Sequence, residues 1–499
     1  MKSFDEVVNL CARRGLVFPT SELYGPVSGF FEYAYYGIEL KRRLEQLWWK
    51  RFVQDRDDVV GLDGALLLPE RVFKASGHLQ YFTDPLVECR KCKSRFRVDE
   101  LVSEELKLDV EGLSEEKLSE LLRKHKLSCL KCKGELSEAR NFNLMFESKA
   151  GPAEESLKVF LRPETAQNIF LAFKQITSFS RKKLPFGVAQ VGRAFRNEIS
   201  PRNFLFRTRE FTQMELEYFV HPKKKNDFSL TEEQLSVELL VLTAVEQEKK
   251  HAGKKLSVKE LVSGKIVKSK VMAYWIAEFA LFFKDLGLRN LRLRQHTQIE
   301  LSHYSKETFD FEFEYPGMGW RELMGIADRG DFDLASHSKE SKKDLSVMDL
   351  ASGERVLPHV IEPSLGLDRL FFALLTEAFD ERTEGGEKKN LLRLNALVAP
   401  VQVGVFPLMK KDGLAEKARG VFDLLKKDFV CEYDDAGSIG KRYARMDEIG
   451  CPFCITIDYD SLENNDVTLR DRDSTVQRRV NVSELSGELR SLFAGKIGE

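Results

Sequence analysis

The 499-residue sequence has no Pro- or Gly-rich tract of low complexity and no internal repeat, which excludes collagen-like and solenoid architectures. It has no long apolar run. The richest stretch, Val271 to Phe283, contains Glu278 and is too short to span a bilayer, so no membrane partner is expected. The start, MKSFDEVVNLCARRG, is acidic early and has no apolar signal core, so a cytoplasmic location is expected. Cysteine is scarce: eight in this length do not make a disulfide scaffold. An excess of charge is missing too. Lys and Arg number 78 against 79 Asp and Glu, so contact with nucleic acid must come from local basic patches. The length suggests roughly three domains.

What the chain does have is a stretch dense in site chemistry, Phe186 to Phe219 (FGVAQVGRAFRNEISPRNFLFRTREFTQMELEYF). It reads as two β-strands joined by a polar loop. Residues two apart share a strand face. Gln190, Gly192, Ala194, Arg196 and Glu198 therefore share one face, small and polar enough to hold a ligand. On the return strand Phe211, Gln213, Glu215 and Glu217 alternate with apolar Met214, Leu216 and Tyr218. Arg202, Arg207 and Arg209 lie between. Such a hairpin is half core and half site. Charged faces are often merely solvated, and cross-strand Arg–Glu pairs often only decorate a surface. Here, however, Arg196, Arg207 and Arg209 suit bidentate contacts to phosphate, and Phe211 suits stacking on a planar base. With FRNE and FRTREF in place, the stretch closely resembles motif 2 of class II aminoacyl-tRNA synthetases, in the form found in the glycyl-tRNA synthetase family.

Other segments extend the resemblance along nearly the whole chain. From about Gly37 to Phe52, Leu40, Leu44, Leu47 and Trp48 recur at helical spacing and give one buried face. By position this helix looks like motif 1, with Ala34, Tyr35, Tyr36 and Gly37 where the family usually carries a proline. SGHLQYFTDP and RFRVD resemble family signatures. In KVFLRPETAQNIFLAF a strand enters a helix near Thr165, and Glu164 stands where the macrodipole favours a carboxylate. The family usually has glycine at Asn168. In GWRELMGIADRG the family usually has glycine at Arg321 and often an acid at Met324. PHVIEPSLGLDRLFFALLTEAF resembles motif 3. Its Arg369 falls in the first helical turn, beside free N–H groups that favour phosphate.

Cys89-x-x-Cys92 and Cys129-x-x-Cys132 form two knuckles, a pattern suited to a structural zinc site closed by four thiolates. An amphipathic helix from Ser114 to His125 lies between them. Cys451 and Cys454 have no second pair nearby and read as ordinary thiols. Residues 220–270 read as two Lys-rich amphipathic segments, an ordinary solvated helix pair or a cover reaching toward tRNA. Residues 380–390 read as a polar linker. Beyond it strands at 396–406, 430–433, 453–459 and 466–470 alternate with helices at 413–427 and 439–449, as in a small α/β domain.

The resemblance implies an α/β protein: a class II synthetase antiparallel-sheet catalytic core over residues 1–385, with a zinc-knuckle insertion at 86–135 and another insertion at 220–270, then a C-terminal α/β anticodon-binding domain over 391–499. It implies ATP, Mg2+ and structural Zn2+, with glycine and tRNA as substrates and a homodimer. The catalytic residues carried over are Arg196, Arg369 and Glu322. ATP contacts fall on Arg196, Asn197, Glu198, Phe206, Arg207, Thr208, Arg209, Glu210 and Phe211, then on Glu322, Leu323, Gly366, Leu367, Asp368 and Arg369. Glycine contacts fall on Arg97, Glu164, Phe211, Thr212, Gln213, Met214 and Glu215, then on Arg329, Glu362, Pro363, Ser364, Leu365 and Gly366. In these roles Arg196 holds the α-phosphate, Glu198 accepts from the adenine amino group, and Arg207 and Arg369 grip the outer phosphates. Glu164, Glu215 and Glu362 surround the ammonium, Arg329 pairs with the carboxylate, and Ser364 closes on the Cα. RPETAQ and FRTREFTQMELEYF argue against another class IIa synthetase. The intact set Arg196, Glu198, Arg207, Glu322 and Arg369 argues against a non-catalytic relative.

Overall fold

The period-two pattern of the hairpin sorts its residues between core and site. In Glu210–Val220, Met214, Leu216, Tyr218 and Val220 are buried in the main apolar core, while Gln213, Glu215 and Glu217 take the opposite face. The computed structural model describes residues 3–495 except 109, 111–112, 153–155, 303–304, 350–351 and 385.

Nine strands build the central sheet: β1 (Val59–Gly61), β2 (Phe186–Phe195), β3 (Glu210–Val220), β4 (Glu238–Leu242), β5 (Lys254–Ser257), β6 (Leu291–Gln295), β7 (Glu307–Tyr315), β8 (Gly319–Gly330) and β9 (His359–Gly366). Their spatial order is β5-β4-β6-β7-β8-β9-β3-β2-β1. The run from β6 to β2 is antiparallel, and parallel pairing enters only at β4 with β6 and at β1 with β2. Register brings the site face together: Gln190 lies opposite Glu215, Ala194 opposite Phe211, and Glu215 opposite Ser364.

Five helices cover this sheet: α1 (Tyr35–Trp49), α2 (Ala166–Ser180), α3 (Lys270–Asp285), α4 (Phe332–Ser341) and α5 (Leu367–Ala378). Leu40, Leu44 and Trp48 of α1, Trp275 and Phe279 of α3, and Leu370 and Leu374 of α5 are buried with Met214 and Leu216 in one core. Each such side chain contributes about 1.5–3 kcal/mol. On the other face Ile169, Phe170 and Phe173 of α2 and Leu334 of α4 pack on Phe186, Val188 and Phe219. The helix expected from Gly37 starts two residues earlier, at Tyr35. Gly37 explains how it does so without a proline: a Cβ there would stand 1.8 Å from the Leu16 carbonyl oxygen, so only glycine lets the helix pass this close.

Three segments correct the sequence reading. Residues 220–270 are not a surface helix pair. They supply β4 and β5, which extend the sheet edge, with only short helices before, between and after them, and Val241 and Leu261 enter the main core. The 380–390 stretch is not a linker. Phe379–Glu384 and Glu387–Leu392 pair as an antiparallel hairpin, and Phe379, Leu391 and Leu392 are buried. In the C-terminal region the strand expected over 396–406 is only β10 (Val403–Pro407), and a fifth strand and a final helix were not foreseen. There β11 (Cys431–Tyr433), β12 (Phe453–Ile457), β13 (Asp466–Asp471) and β14 (Gln477–Asn481) complete a mixed sheet of order β11-β10-β12-β13-β14. The helices Leu414–Leu425 and Leu485–Gly495 supply Leu414, Leu425, Leu485 and Leu489 to its core. No helix among the described residues is long and apolar enough to cross a membrane.

Candidate active site and thiol centre

The site face of β2, β3, β8 and β9 forms the floor of a cavity of 310 Å³. Arg196, Glu198, Phe206, Arg207, Thr208, Phe211, Glu322, Leu323, Gly366, Asp368 and Arg369 line it, together with Gln213 and Ser364. Three separate parts of the chain therefore meet in one place. The Arg196 guanidinium lies against two rings, 5.2 Å from the centre of Phe211 and 5.4 Å from that of Phe82, and its Nε donates to the Pro163 carbonyl at 3.2 Å. Among the described residues no carboxylate forms an ion pair with it. Glu198 is buried, and its Oε2 accepts no hydrogen bond although Arg207 Nε stands 3.1 Å away. That leaves a buried acceptor pointing at the cavity. Arg207 also pairs with Glu100, on the helix Val98–Leu106.

Arg369 sits in the first turn of α5, after Gly366 at the helix cap. Its Nη1 lies 3.0 Å from Glu322 Oε2, and this pairing holds the Glu322 carboxyl below its ordinary range. Glu322 itself is half-exposed at the cavity wall.

Beside the cavity, toward the core, lies a cluster of buried carboxyl groups. Glu164 accepts from Gln167 Nε2 at 2.9 Å and stands 3.5 Å from His78 Nε2, whose Nδ1 lies 2.7 Å from Ser76 Oγ. Burial works against its ionisation, yet His78, Arg329 and Gln167 hold it well below the usual carboxylate range. Glu215 accepts from Thr165 N at 2.8 Å, from the Thr165 hydroxyl, from Ser364 Oγ at 2.6 Å and from Gln213 Nε2 at 3.0 Å. Burial and the nearby Glu164 still push it upward.

Several carried-over residues take other places than expected. Arg329 is 2 % exposed, and its guanidinium is engaged by Asp333 at 2.7 and 2.8 Å and by Glu362 at 2.8 Å. It braces the pocket's acids; it is not presented to a substrate carboxylate. The side chains of Thr212, Met214 and Leu365 do not face the site. Met214 and Leu365 are buried in the apolar core, and Thr212 Oγ1 accepts from Lys41 Nζ at 2.8 Å. Leu367 is likewise core. Asp368 accepts from Tyr33 OH at 2.5 Å and from Thr212 N at 2.6 Å, so it ties α5 to β3. Glu210 pairs with Arg193, and Arg209 donates to the Glu198 and Ser28 carbonyls at 3.0 and 2.9 Å. Arg97 is held by Asp84 at 2.6 Å and by Asp99 at 2.5 Å. Of Asn197, the backbone N–H donates to the Leu144 carbonyl at 2.7 Å. Pro363 is buried on β9 between Glu362 and Ser364. Met324 is core rather than site, and Arg321 is exposed. Asn168, in turn, accepts from Arg162 Nη1 and donates to the Ala65 carbonyl, both at 3.1 Å.

The sequence reading assigned no role to His78, Gln167, Asp333 or Phe82. Short spacings bear on two of them: Gln167 follows Glu164 by three residues across a helix start, and Asp333 follows Arg329 by four across a strand-to-helix turn.

In the module built on Thr83–Glu88, Arg95–Arg97 and Arg140–Asn143, the sulfurs of Cys89, Cys92, Cys129 and Cys132 all lie within 4.8 Å of one another. Cys89 Sγ is 3.5 Å from Cys132 Sγ, and Cys92 Sγ is 3.6 Å from Cys129 Sγ. A tetrahedral ion with Zn–S bonds of ~2.3 Å sets its sulfurs ~3.8 Å apart, so the set fits one metal. The two knuckles repeat one geometry. Lys93 N donates to the Cys89 carbonyl at 3.0 Å, and Lys133 N donates to that of Cys129 at 2.9 Å. Gly134 is required there, since a Cβ would press on Cys132 Sγ and Cys89 Sγ at 3.2 Å. Cys451 and Cys454 are buried and, among the described residues, belong to no such cluster.

Known proteins resemble this chain along nearly its whole length. Residues 146–378 match the tRNA synthetase class II core domain (G, H, P, S and T), and residues 402–492 match the anticodon binding domain. A glycine–tRNA ligase of Caldanaerobacter subterraneus subsp. tengcongensis is 43% identical over 490 residues, covering 97% of both chains. One from Clostridium acetobutylicum is 44% identical over 495 residues, again 97% of each. One from Bacillus thuringiensis subsp. konkukian is 42% identical over 498 residues, 98% of this chain and 99% of the relative. With this similarity along a class II core and an anticodon-binding domain, the chain belongs to the glycine–tRNA ligase family.

Proposed function

We propose that the 310 Å³ cavity binds ATP with Mg2+ and that the adjoining carboxyl pocket binds glycine, so that the two react across Arg196. The observation that carries this reading is Arg196 itself. Its guanidinium is a planar fork, fixed between Phe82 and Phe211 with no carboxylate partner among the described residues, where the cavity meets the pocket. A fork in that place can hold the α-phosphate on one edge and the attacking carboxylate on the other.

The adenine ring would lie on Phe211, with its amino group donating to the orphaned Glu198 Oε2. Arg207 and Arg369 would take the outer phosphates. Glu322, half-exposed on the wall, fits an oxygen-preferring Mg2+ that keeps most of its waters, an ion that neutralises charge on the phosphates. Glu164, Glu215 and Glu362 would receive the ammonium, and Gln213 and Ser364 would leave no room for a methyl group on the Cα. The glycine carboxylate attacks the α-phosphorus, an O–P bond forms, and the bond to pyrophosphate breaks. The terminal ribose hydroxyl of tRNA then attacks the carbonyl carbon, and AMP leaves. Positioning and charge neutralisation carry the first step, with little covalent help from the protein.

Zinc in the four-thiol site, a homodimer through the surface around α1, and a cytoplasmic location complete the reading. Beside α1 lies an open hollow of 510 Å³ lined by Lys41, Arg42, Glu45 and Trp49, a surface suited to a partner. The test is glycine-dependent ATP–pyrophosphate exchange, with alanine and serine as controls. Glycine alone should support exchange, and Arg196→Ala should abolish it while the melting temperature holds. Near-normal exchange in that variant would overturn the assignment.

A further inference from the structure

Glu217 takes no part in the activation chemistry described above. It follows Glu215 by two residues on β3, so its side chain points to the same face, one step deeper. It is 0 % exposed, and neither of its carboxyl oxygens has a hydrogen-bond partner. The paired positions Glu215–Ser364 and Tyr218–Ile361 bracket it and bring it beside Glu362 on β9.

An ionised carboxylate in such a place is uncompensated, and a buried acid without a partner takes up a proton instead. The basic side chains in the surrounding acid cluster already have partners. Arg329 is held by Asp333 and Glu362, with Glu164 at 3.9 Å. Arg162 donates to the Arg193 and Gly64 carbonyls and to Asn168. His78 lies between Ser76 and Glu164, and His337 Nε2 lies 2.8 Å from Gln167 Oε1. Against these stand five buried carboxyl groups: Glu164, Glu215, Glu217, Asp333 and Glu362. They cannot all be charged at once. The directions of titration agree with the geometry. Burial, then Glu362, drives Glu217 well above its ordinary value. Burial pushes Glu362 up to about 8 despite Arg329.

We propose that Glu217 is a positioning residue that keeps its proton and offers it as an O–H donor to Glu362, so that the glycine ammonium enters by displacing one proton from the Glu217–Glu362 pair. This rests on the placement of glycine among Glu164, Glu215 and Glu362. The exchange balances. The ammonium brings one positive charge among the acids and Glu362 gives one proton to solvent, so the charge of the acid cluster is unchanged, while the glycine carboxylate goes to Arg196. In the structure the two carboxyls lie side by side with no bond between them. Once Glu362 is ionised, Glu217 has the acceptor it lacks. The two groups titrate as a unit.

Calorimetric titration of the full-length protein with glycine at pH 7, in two buffers of different protonation enthalpy, counts the protons. About one should leave per glycine bound, and fewer at pH 9, where Glu362 is already ionised. Glu217→Gln keeps a donor and no charge. It should release the same number of protons and hold the KM for glycine within about threefold of the parent. Glu217→Met removes the donor, and the KM for glycine should rise about tenfold with the KM for ATP unchanged. The inference is overturned if no proton is released, if the glutamine variant loses as much as the methionine variant, or if the methionine variant equals the parent. Where the methionine variant does not fold, the glutamine variant and the proton count decide. Glu164→Gln is the control for the pocket itself. An unchanged glycine KM in that variant would remove the glycine placement, whereas its loss beside a failed Glu217 result removes this inference alone.

Discussion

The guanidinium carbon of Arg369 sits 4.5 Å from the centre of the Phe206 ring, and its Nε donates to the Phe206 carbonyl at 3.3 Å. The two residues are 163 positions apart, and the contact sets the cation at the cavity wall before any phosphate arrives. Arg369→Ala should abolish pyrophosphate exchange. Arg369→Lys should not rescue it, because an ammonium can neither stack on the ring nor grip phosphate with two parallel bonds. Phe206→Ala should raise the KM for ATP about tenfold by loosening the arginine, with the KM for glycine little changed. A steady-state series in ATP at saturating glycine separates these outcomes.

Arg207, to which the proposed function gives an outer phosphate, already has a carboxylate partner. Glu100, on the helix Val98–Leu106 of the thiol module, pairs with Arg207 and also with Arg202 at 3.1 Å, while Glu104 reaches Arg202 at 3.0 Å. In the proposed reading a triphosphate would draw Arg207 away from this carboxylate. The pair is partly exposed and its strength accordingly modest, about 0–1 kcal/mol. Glu100→Gln should therefore lower the KM for ATP by about two- to fivefold, whereas Arg207→Ala should raise it. An unchanged or higher KM in the glutamine variant would show that Glu100 does not compete.

These contacts show what a sequence can and cannot disclose. The face shared by Gln190, Ala194, Phe211 and Glu215 is legible because strand period is local and each residue carries its own polarity. The same rule separates Met214 and Thr212 from the site: their side chains face away, and only their backbone lies near it. The brace of Arg329 by Asp333 and Glu362 is not legible, since Glu362 arrives from a strand whose neighbours are fixed only by the folded sheet. For the same reason Asp380, Arg382 and Lys388 look like a solvated linker. Their hairpin exists because Phe379, Leu391 and Leu392 are buried, Phe379 and Leu392 in the main core. The family resemblance compensates for part of this, yet it transfers a residue's position and not its partners. Arg97, saturated by Asp84 and Asp99, is an instance.

The thiol centre is a test of stability and of communication. Cys129 is fully buried among Val87, Val98, Leu101 and Leu118, so a metal held by the four thiols would tie the knuckles to the core of the module. Cys129→Ser should remove zinc, and the strands and helices between Thr83 and Asn143 should open to proteolysis while the central sheet persists. Metal analysis of the purified parent should give one zinc per chain, as four thiolates in a single cluster require. Because Glu100 belongs to the same module, loss of metal should also weaken its hold on Arg207. Zinc-free protein should then show the same direction of change in the KM for ATP as Glu100→Gln.

Glu362 predicts the shape of the stability curve. Its carboxyl, fully inside the protein, is raised from an ordinary 4.5 to about 8, chiefly by burial. A carboxyl raised in this way binds its proton more tightly in the folded state than in the unfolded chain. Its stabilising contribution is complete below about 4.5 and is lost as pH rises through about 8. The melting temperature of the ligand-free protein should therefore carry a downward component between these values. Glu362→Gln, which cannot ionise but can still accept from Arg329, should lack that component. Saturating glycine should oppose the fall in the parent, because its ammonium compensates the carboxylate that forms, so stabilisation by glycine should grow with pH across the same window. Thermal melts of both proteins from pH 5 to pH 9, with and without glycine, measure all three effects. Parallel curves for parent and variant would show that Glu362 is already ionised at neutral pH, and that Arg329, rather than the substrate, compensates its charge.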